Sequence, residues 1–401
     1  MIKYIKIILI GCPLLIGIPQ ALSQGFVFDS GSDESFGAIN ITETTTIALP
    51  DDGIIHATTV TVADGVTLFF DKNEFNTPVF LLATGDISIA GTINVNGRAG
   101  SNVLGGVGGP GGFDGGTPGS SGVSPGDGHG PGGGLSGNND TSGLGAGSGS
   151  YSSQSPSGSS GGEGAIYGSA LLIPMIGGSG GGGISGTPGI GGGGGGGALL
   201  IASNTQVELT STGIVHANGG LRSGNTINGG SGGAVRLVAP KVFGSGVINA
   251  QSRNSNSALG GQTYGGYGRV RVDSIDRTDL SITFNPAGHT SVGTNMVVFP
   301  TPAPRLDITE VAGTAVTLDT SDGVFVVLPF NADPNRTVTV RAENFNKVVN
   351  FAVVLQPVNG SRIVVEDSID NTTTNPASKV VNVVFPLNTQ TKVFVWTIPD
   401  P

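Results

Sequence analysis

The run Gly232-Gly233-Ala234-Val235-Arg236-Leu237-Val238-Ala239 decides how the rest of the chain is read. A glycine pair leads directly into an apolar stretch, and the same join occurs twice more. Gly191 to Gly197 precede Ala198-Leu199-Leu200-Ile201-Ala202, and Gly265, Gly266 and Gly268 precede Arg269-Val270-Arg271-Val272. The three stretches start 36 and then 35 residues apart. A second element recurs as Gly91-Thr92-Ile93-Asn94-Val95, Gly213-Ile214-Val215-His216-Ala217 and Gly246-Val247-Ile248-Asn249-Ala250. Phe80-Leu81-Leu82-Ala83 precedes its first copy as Leu199 to Ala202 precedes its second. Repeats of this size, made of short strands with no helix between them, predict a parallel β-solenoid in which each pass pairs with the next. Period-two alternation then turns one set of side chains inward: Ile87, Ile89, Ile93, Val95, Val207, Leu209, Val215, Ala217, Val247 or Ile248, and Ala250. Asn94, His216 and Asn249 share one outward slot. The rival fold, an antiparallel sandwich, requires tight hairpin turns, whereas long Gly/Ser stretches join these repeats.

Outward from the repeats, composition divides the chain. Residues 24–99 alternate apolar and polar positions as half-buried strands do. Residues 100–197 hold 42 Gly, four acidic residues and no Lys or Arg. Such a tract is read either as a flexible linker or as an ordered insertion interrupting the array. Its scattered apolar residues, above all Leu171, Leu172, Ile173, Met175 and Ile176, favour order against the solenoid. The solenoid with its insertion is thus expected over 24–300. Thr301-Pro302-Ala303-Pro304 reads as a linker. Residues 301–401 contain six strand candidates: Val324 to Leu328, Thr337 to Ala342, Phe351 to Leu355, Ile363 to Glu366, Val380 to Phe385 and Lys392 to Thr397. With the hairpin signal Asn359-Gly360 they predict an immunoglobulin-like β-sandwich, with Trp396 in its core. Residues 1–23 read as an export signal: Lys3 and Lys6, an apolar stretch from Ile7 to Ile18, and Ala21-Leu22-Ser23 before Gln24. The rival is lipidation at Cys12, because Leu9-Ile10-Gly11-Cys12 resembles a lipobox. Either way the protein is expected outside the cytoplasm, secreted or at the cell surface. No later stretch reaches the length needed to span a bilayer as a helix.

Charge and rare residues exclude whole classes. The chain has 401 residues, 72 of them Gly, with one Cys, four His and a net charge of −10. One Cys cannot build a disulfide framework or a Cys-rich zinc module. Only 18 Lys and Arg in an acidic chain leave no electrostatic footprint for nucleic acid.

The export signal, the run Ala-Thr-Gly-Asp-Ile-Ser-Ile-Ala-Gly-Thr-Ile-Asn-Val-Asn-Gly at 83–97, the Gly tract and Gly-Gly-Ala-Val-Arg-Leu-Val-Ala-Pro at 232–240 resemble Gly-rich bacterial secreted proteins. These resemble right-handed parallel β-helix proteins, a superfold shared by surface adhesins and pectate-lyase-like polysaccharide enzymes. The likeness covers about residues 45–290 and is one of fold, which does not fix function. It implies a surface or polysaccharide partner.

The chemistry-bearing residues are few. The densest charged group is Arg236, Lys241, Arg253, Arg269 and Arg271 with Asp273, Asp276 and Asp279. If the strand continues through Asp273, then Arg269, Arg271 and Asp273 form a solvated ladder on its outer face. Asp29-Ser30-Gly31-Ser32-Asp33-Glu34 could offer alternate carboxylates to calcium, but reads as a surface turn. His129 lies in a Gly-flanked loop. Tyr264 and Tyr267 form a close pair of sugar-stacking size, placed to pack over bare glycine backbone. No catalytic, cofactor-binding or metal-ligating residue is assigned. The expected role is therefore structural or adhesive and non-enzymatic, with a carbohydrate-active enzyme or polysaccharide binder using the solenoid face as the alternative.

Overall fold

The structure, a computed structural model, describes residues 27–138, 145–155, 162–221, 228–252, 265–317 and 323–398. The expected export signal with Cys12, and also Arg253 and Tyr264, lie outside the described residues. Those residues form strands and one short 3-10 turn at Ala287–His289, with no α-helix among them.

The repeats become stacked passes. One pass is Val79–Ala83, Ile87–Ile89 and Thr92–Asn94. The next is Ala198–Ser203, Gln206–Leu209 and Ile214–His216, followed by Ala234–Val238, Lys241–Gly244 and Val247–Asn249. Equivalent strands pair in parallel and in register. Val79, Leu199, Val235 and Val270 stand in one row; Ile87, Val207 and Val242 in a second; Ile93, Val215, Ile248 and Phe284 in a third. Earlier passes add Gly37–Ile41, Thr45–Ala48, Ile54–Val62 and Thr67–Asp71, and later ones Arg269–Asp273, Thr283–Asn285 and Thr290–Gly293. The result is one ten-stranded and one six-stranded sheet, parallel throughout. Pairing of Leu199 with Val79 spans the whole Gly tract, because in-register neighbours need only matching faces. The inward rows close into a single buried core that contains every residue of the expected ladder, with Ile248 rather than Val247 at the open position. Each such Ile, Leu or Val side chain contributes about 1.5–3 kcal/mol by leaving water. The strands at 79–83, 198–203 and 234–238 are buried on their reverse face too, where Leu82, Leu200, Ala202 and Val238 pack under Phe28, Met296 and Val298. Burial on both faces explains why these strands read as near-continuous apolar runs, with Arg236 the charged exception.

The Gly tract is a lattice with a period of three. Along 191–198, successive N–H groups turn to three different neighbours. Gly191, Gly194 and Gly197 donate to the carbonyls of Ser101, Arg98 and Val95; Gly192, Gly195 and Ala198 donate to those of Gly116, Phe113 and Pro110; Gly193 and Gly196 donate to those of Asn228 and Ser231, all at 2.8–3.1 Å. Three residues per turn is the period of the polyproline II helix, which leaves every backbone group free to bond outward. A second segment, 177–183, joins in: Gly178 donates to Gly196, Gly181 to Gly193 and Gly183 to Gly126. Close approach excludes side chains. A Cβ on Gly192 or Gly195 would lie 1.9 Å from a carbonyl oxygen of the next segment, and one on Gly193 would lie 2.1 Å away. Apolar anchors close the assembly: Leu172 and Tyr151 are fully buried, with Tyr167, Met175 and Ile176 packed against them, while Leu171 stays exposed. The expected anchor run is thus covered in part.

Residues 305–398 form two four-stranded antiparallel sheets. One contains Arg305–Val311, Thr314–Ala315, Asn335–Glu343 and Ala377–Val384; the other Val324–Val326, Val348–Pro357, Ile363–Asp370 and Thr391–Thr397. Ile308, Val340 and Val381 of the first share a core with Phe351, Val353 and Val393 of the second. Gly360, at φ +97°, makes the expected hairpin turn between Val348–Pro357 and Ile363–Asp370. The strand order differs from an immunoglobulin domain. Setting aside Thr314–Ala315 and counting along the chain, strands 1, 3 and 6 form one sheet and 2, 7, 4 and 5 the other. An immunoglobulin domain puts 1, 2, 5 and 4 on one sheet and 3, 6 and 7 on the other.

Candidate functional site

The charged group read from the sequence as a solvated ladder is instead a buried clasp. The strand does run through Asp273, but the segment after Thr290–Gly293 folds back over it. Arg236 and Asp273 are fully buried and Arg271 nearly so. Arg236 donates from Nε and Nη2 to Asp273 Oδ2 at 3.0 and 2.9 Å, and from Nη1 and Nη2 to the carbonyls of Val297 and Asn295 at 2.8 and 2.6 Å. Arg271 donates to both Asp273 oxygens at 2.8 and 2.6 Å. Asn295 N–H donates to Asp273 Oδ1 at 3.0 Å. Burial lowers the Arg236 pKa against the pull of Asp273. Apart from the two bonds that Arg271 makes to Asp273 within its own strand, these bonds run between passes or to the covering backbone, so the group positions chain rather than substrate.

The remaining candidates disperse. Arg269 reaches into the Gly tract, donating to the Tyr167 carbonyl at 3.0 Å with its guanidinium 5.4 Å from the Tyr151 ring. Lys241 pairs with exposed Asp279 at 3.5 Å. In the 29–34 stretch Asp29 and Asp33 each accept the N–H two residues on, and Asp33 stands 3.6 Å from His56. Hydrogen bonds from Ser35 hold the Asp33 carboxyl below its usual range. Among the described residues no group of three or more His, Cys, Asp or Glu is placed to hold a metal ion. His216 stands in the expected row with Asn94 and Asn249, its Nδ1 3.3 Å from Asn249 and Asn218 amide nitrogens. Tyr267 packs on His289 at 5.2 Å. Trp396 is not in the sandwich core: it lies half-buried on the outer face of its sheet, beside Phe394 and Phe113 of the tract. His129 lies in a loop, as expected, with its ring 6.1 Å from Phe394.

The groups that sequence reading missed are the lone carboxylates of the tract and of the first C-terminal strand. Asp127, 1% exposed, accepts Ser136 N–H at 2.6 Å and Arg362 N–H at 2.9 Å, joining the tract to the C-terminal body. Burial opposes ionisation of Asp114, yet Lys72, 3.3 Å away, and His129 keep its carboxyl below the usual range. A carboxylate in a tract without Lys or Arg has to find its partner elsewhere, and that was the available signal. Asp307 lines a cleft of about 680 Å³ where the passes, the tract and the C-terminal body meet, together with Asp51, Asp52, Arg305, Phe75 and Phe394. Its Oδ2 is buried without a hydrogen-bond partner, and burial raises its carboxyl above the usual range despite Arg305 at 3.4 Å. Such a cleft can accept hydrogen bonds from a hydroxylated or cationic ligand. Among the described residues no helix is long and apolar enough to cross a membrane. No family model, curated protein or solved structure matches the chain.

Proposed function

We propose that this chain is an exported envelope or extracellular protein with a structural or adhesive role and no catalytic one. In this reading a right-handed β-solenoid carries the glycine insertion, and the insertion carries a C-terminal sandwich that is immunoglobulin-like in its two packed sheets alone. The observation that supports it is the three-way glycine lattice. Ordering glycine costs more backbone entropy than ordering any other residue, so a lattice of this kind serves to hold something rigidly. What it holds is the C-terminal body. The clasp of Arg236, Arg271 and Asp273 agrees, since the densest charged group binds the protein's own backbone. Export rests on the sequence of residues 1–23, and fractionating the producing cell tests it: recovery from the cytoplasm would end this reading. The adhesive part predicts retention of purified protein on cell-surface polymers.

The second reading, polysaccharide binding or cleavage, is favoured by the cleft of Asp51, Asp52 and Asp307. Incubation with pectin, alginate and neutral glycans separates the two. Release of unsaturated or shortened products would replace the non-enzymatic reading.

A further inference from the structure

The C-terminal body has a groove that the adhesive reading does not require. Ile363–Asp370 and Ala377–Val384 are the outermost strands of the two sheets on the same side, each paired along one edge only among the described residues. Where Asp367 and Lys379 bridge them at 3.3 Å the two strands are held together. At the other end, Ile363, Val365, Val383 and Val384 line an open groove of about 590 Å³, with Arg336 and Asn382 in its lining. Val364, Val380 and Val384 are 47%, 57% and 54% exposed, an apolar rim on these same two strands.

Arg336 is the unusual member. Its Nε is buried and unbonded, and among the described residues its guanidinium makes no hydrogen bond or salt bridge. The nearby carboxylate, Asp333, already accepts the Asn335 N–H and side-chain amide at 2.9 and 3.0 Å and feels Arg336 only through space. A buried guanidinium nitrogen without an acceptor is unfavourable, and the planar fork of arginine fits a carboxylate. The lining contains no aromatic ring on which a sugar could stack. Aliphatic walls suit an aliphatic side chain, and unpaired strand edges suit main-chain pairing.

We propose that this groove binds an extended peptide by strand addition, an apolar residue entering between the two edges and its free terminal carboxylate meeting Arg336. The occupant is a peptide end rather than a glycan, because the groove offers an edge and aliphatic walls but no stacking surface.

The test uses the full-length mature protein and a labelled hexapeptide of alternating Thr and Val, ending in Val with a free carboxylate. Saturable binding is expected, and the same peptide amidated should bind about tenfold more weakly, the worth of one charge-assisted bond. The Arg336→Gln protein should lose affinity for the free acid to about the same degree, while Arg336→Lys keeps part of it. Comparison of acid with amide needs no variant, so a folding defect cannot obscure the result. Equal affinity for acid and amide, or unchanged binding by Arg336→Gln, would overturn the proposal. Stronger binding of an oligogalacturonate than of the peptide would overturn the peptide class. Retention of Arg336→Gln on cell-surface polymers bears only on the adhesive reading, so the two can fail separately.

Discussion

Asp273 has two arginines and a backbone N–H around one buried carboxylate, and their removal has unequal consequences. Replacing Arg236 by Met keeps volume but leaves the carbonyls of Asn295 and Val297 without their donor and weakens the pairing of Asp273. Breaking a buried pair on one side costs about 3–5 kcal/mol. The expected outcome is a fall of that order in chemical stability, with faster amide exchange over 294–298 first. Unchanged exchange there would mean that the covering segment is held by Met296 and Val298 alone. Asp307 behaves in the opposite sense. Burial raises its native pKa above the ordinary aspartate value of 3.8, so the native state binds this proton more tightly than the unfolded state. The stability it contributes is greatest below about 3.8, the ordinary value for Asp, and is lost as pH rises through the higher native value. Asp307→Asn should therefore match wild type in acid and be the more stable protein at neutral pH. Denaturant midpoints measured across that range decide it; a variant less stable at neutral pH would show that the pairing with Arg305 outweighs burial.

At the level of elements, the glycine segments depend on contact distance rather than on propensity. A Cβ at Gly195 would stand 1.9 Å from the Gly178 carbonyl oxygen, which is backbone and cannot swing aside, whereas one at Gly288 would meet nothing within 4 Å. Gly195→Ala is expected to lose at least the 1–3 kcal/mol typical of overpacking, about the upper end of that range because two lattice segments must part. Gly288→Ala should stay within about 0.5 kcal/mol of wild type, as surface changes do. Equal thermal shifts in the two variants would mean that the segments are not in contact. The same comparison explains what could be read from sequence. Strand passes were legible because Leu199, Val235 and Val270 recur 36 and 35 residues apart, and because Val207 and Leu209, like Val215 and Ala217, alternate with a period of two. The lattice was not, because a period of three written in glycine alone leaves no apolar signal to count. The clasp was hidden for a different reason: nothing around Arg271 announces that Asn295 and Val297, more than twenty residues later, will cover it. Asp127 carried a signal in its isolation, but its partner Arg362 lies 235 residues away in sequence.

For the whole molecule, the open question of physics is whether the C-terminal body stands alone. Its inner core is complete: Val338, Val340, Phe351, Val353 and Val393 are buried against one another without help from the passes. Its outer face is not. Ala352, Val354 and Phe394 are buried beneath Phe113, and Gln356 Nε2 donates to the Asp127 carbonyl at 3.3 Å. The hairpin around Asn359-Gly360 is also tied to the tract: Thr117 Oγ1 donates to the Val358 carbonyl and Gly360 N–H to that of Pro125 at 3.1 Å. Arg362 is half-buried there, its pKa lowered by burial against the opposing pull of Asp127. A fragment from Arg305 to Pro401 should accordingly keep dispersed amide resonances, since removing the tract leaves its inner core intact. It should also self-associate with rising concentration and bind a hydrophobic dye, because an apolar face that the full chain covers becomes exposed. In the full chain, Asp127→Ala removes the acceptor of both Ser136 and Arg362 N–H and the negative charge that acts on the Arg362 guanidinium through space, a loss of about 1–3 kcal/mol for each donor left unmet in the joint. Cleavage by a broad protease at the exposed residues 301–304 should then quicken while the inner strands of both units stay protected. An unfolded fragment would make the tract part of the folding nucleus of the C-terminal body. A monomeric, dye-silent fragment would mean that its outer face rearranges once freed, and the buried joint would then be a consequence of docking rather than its cause.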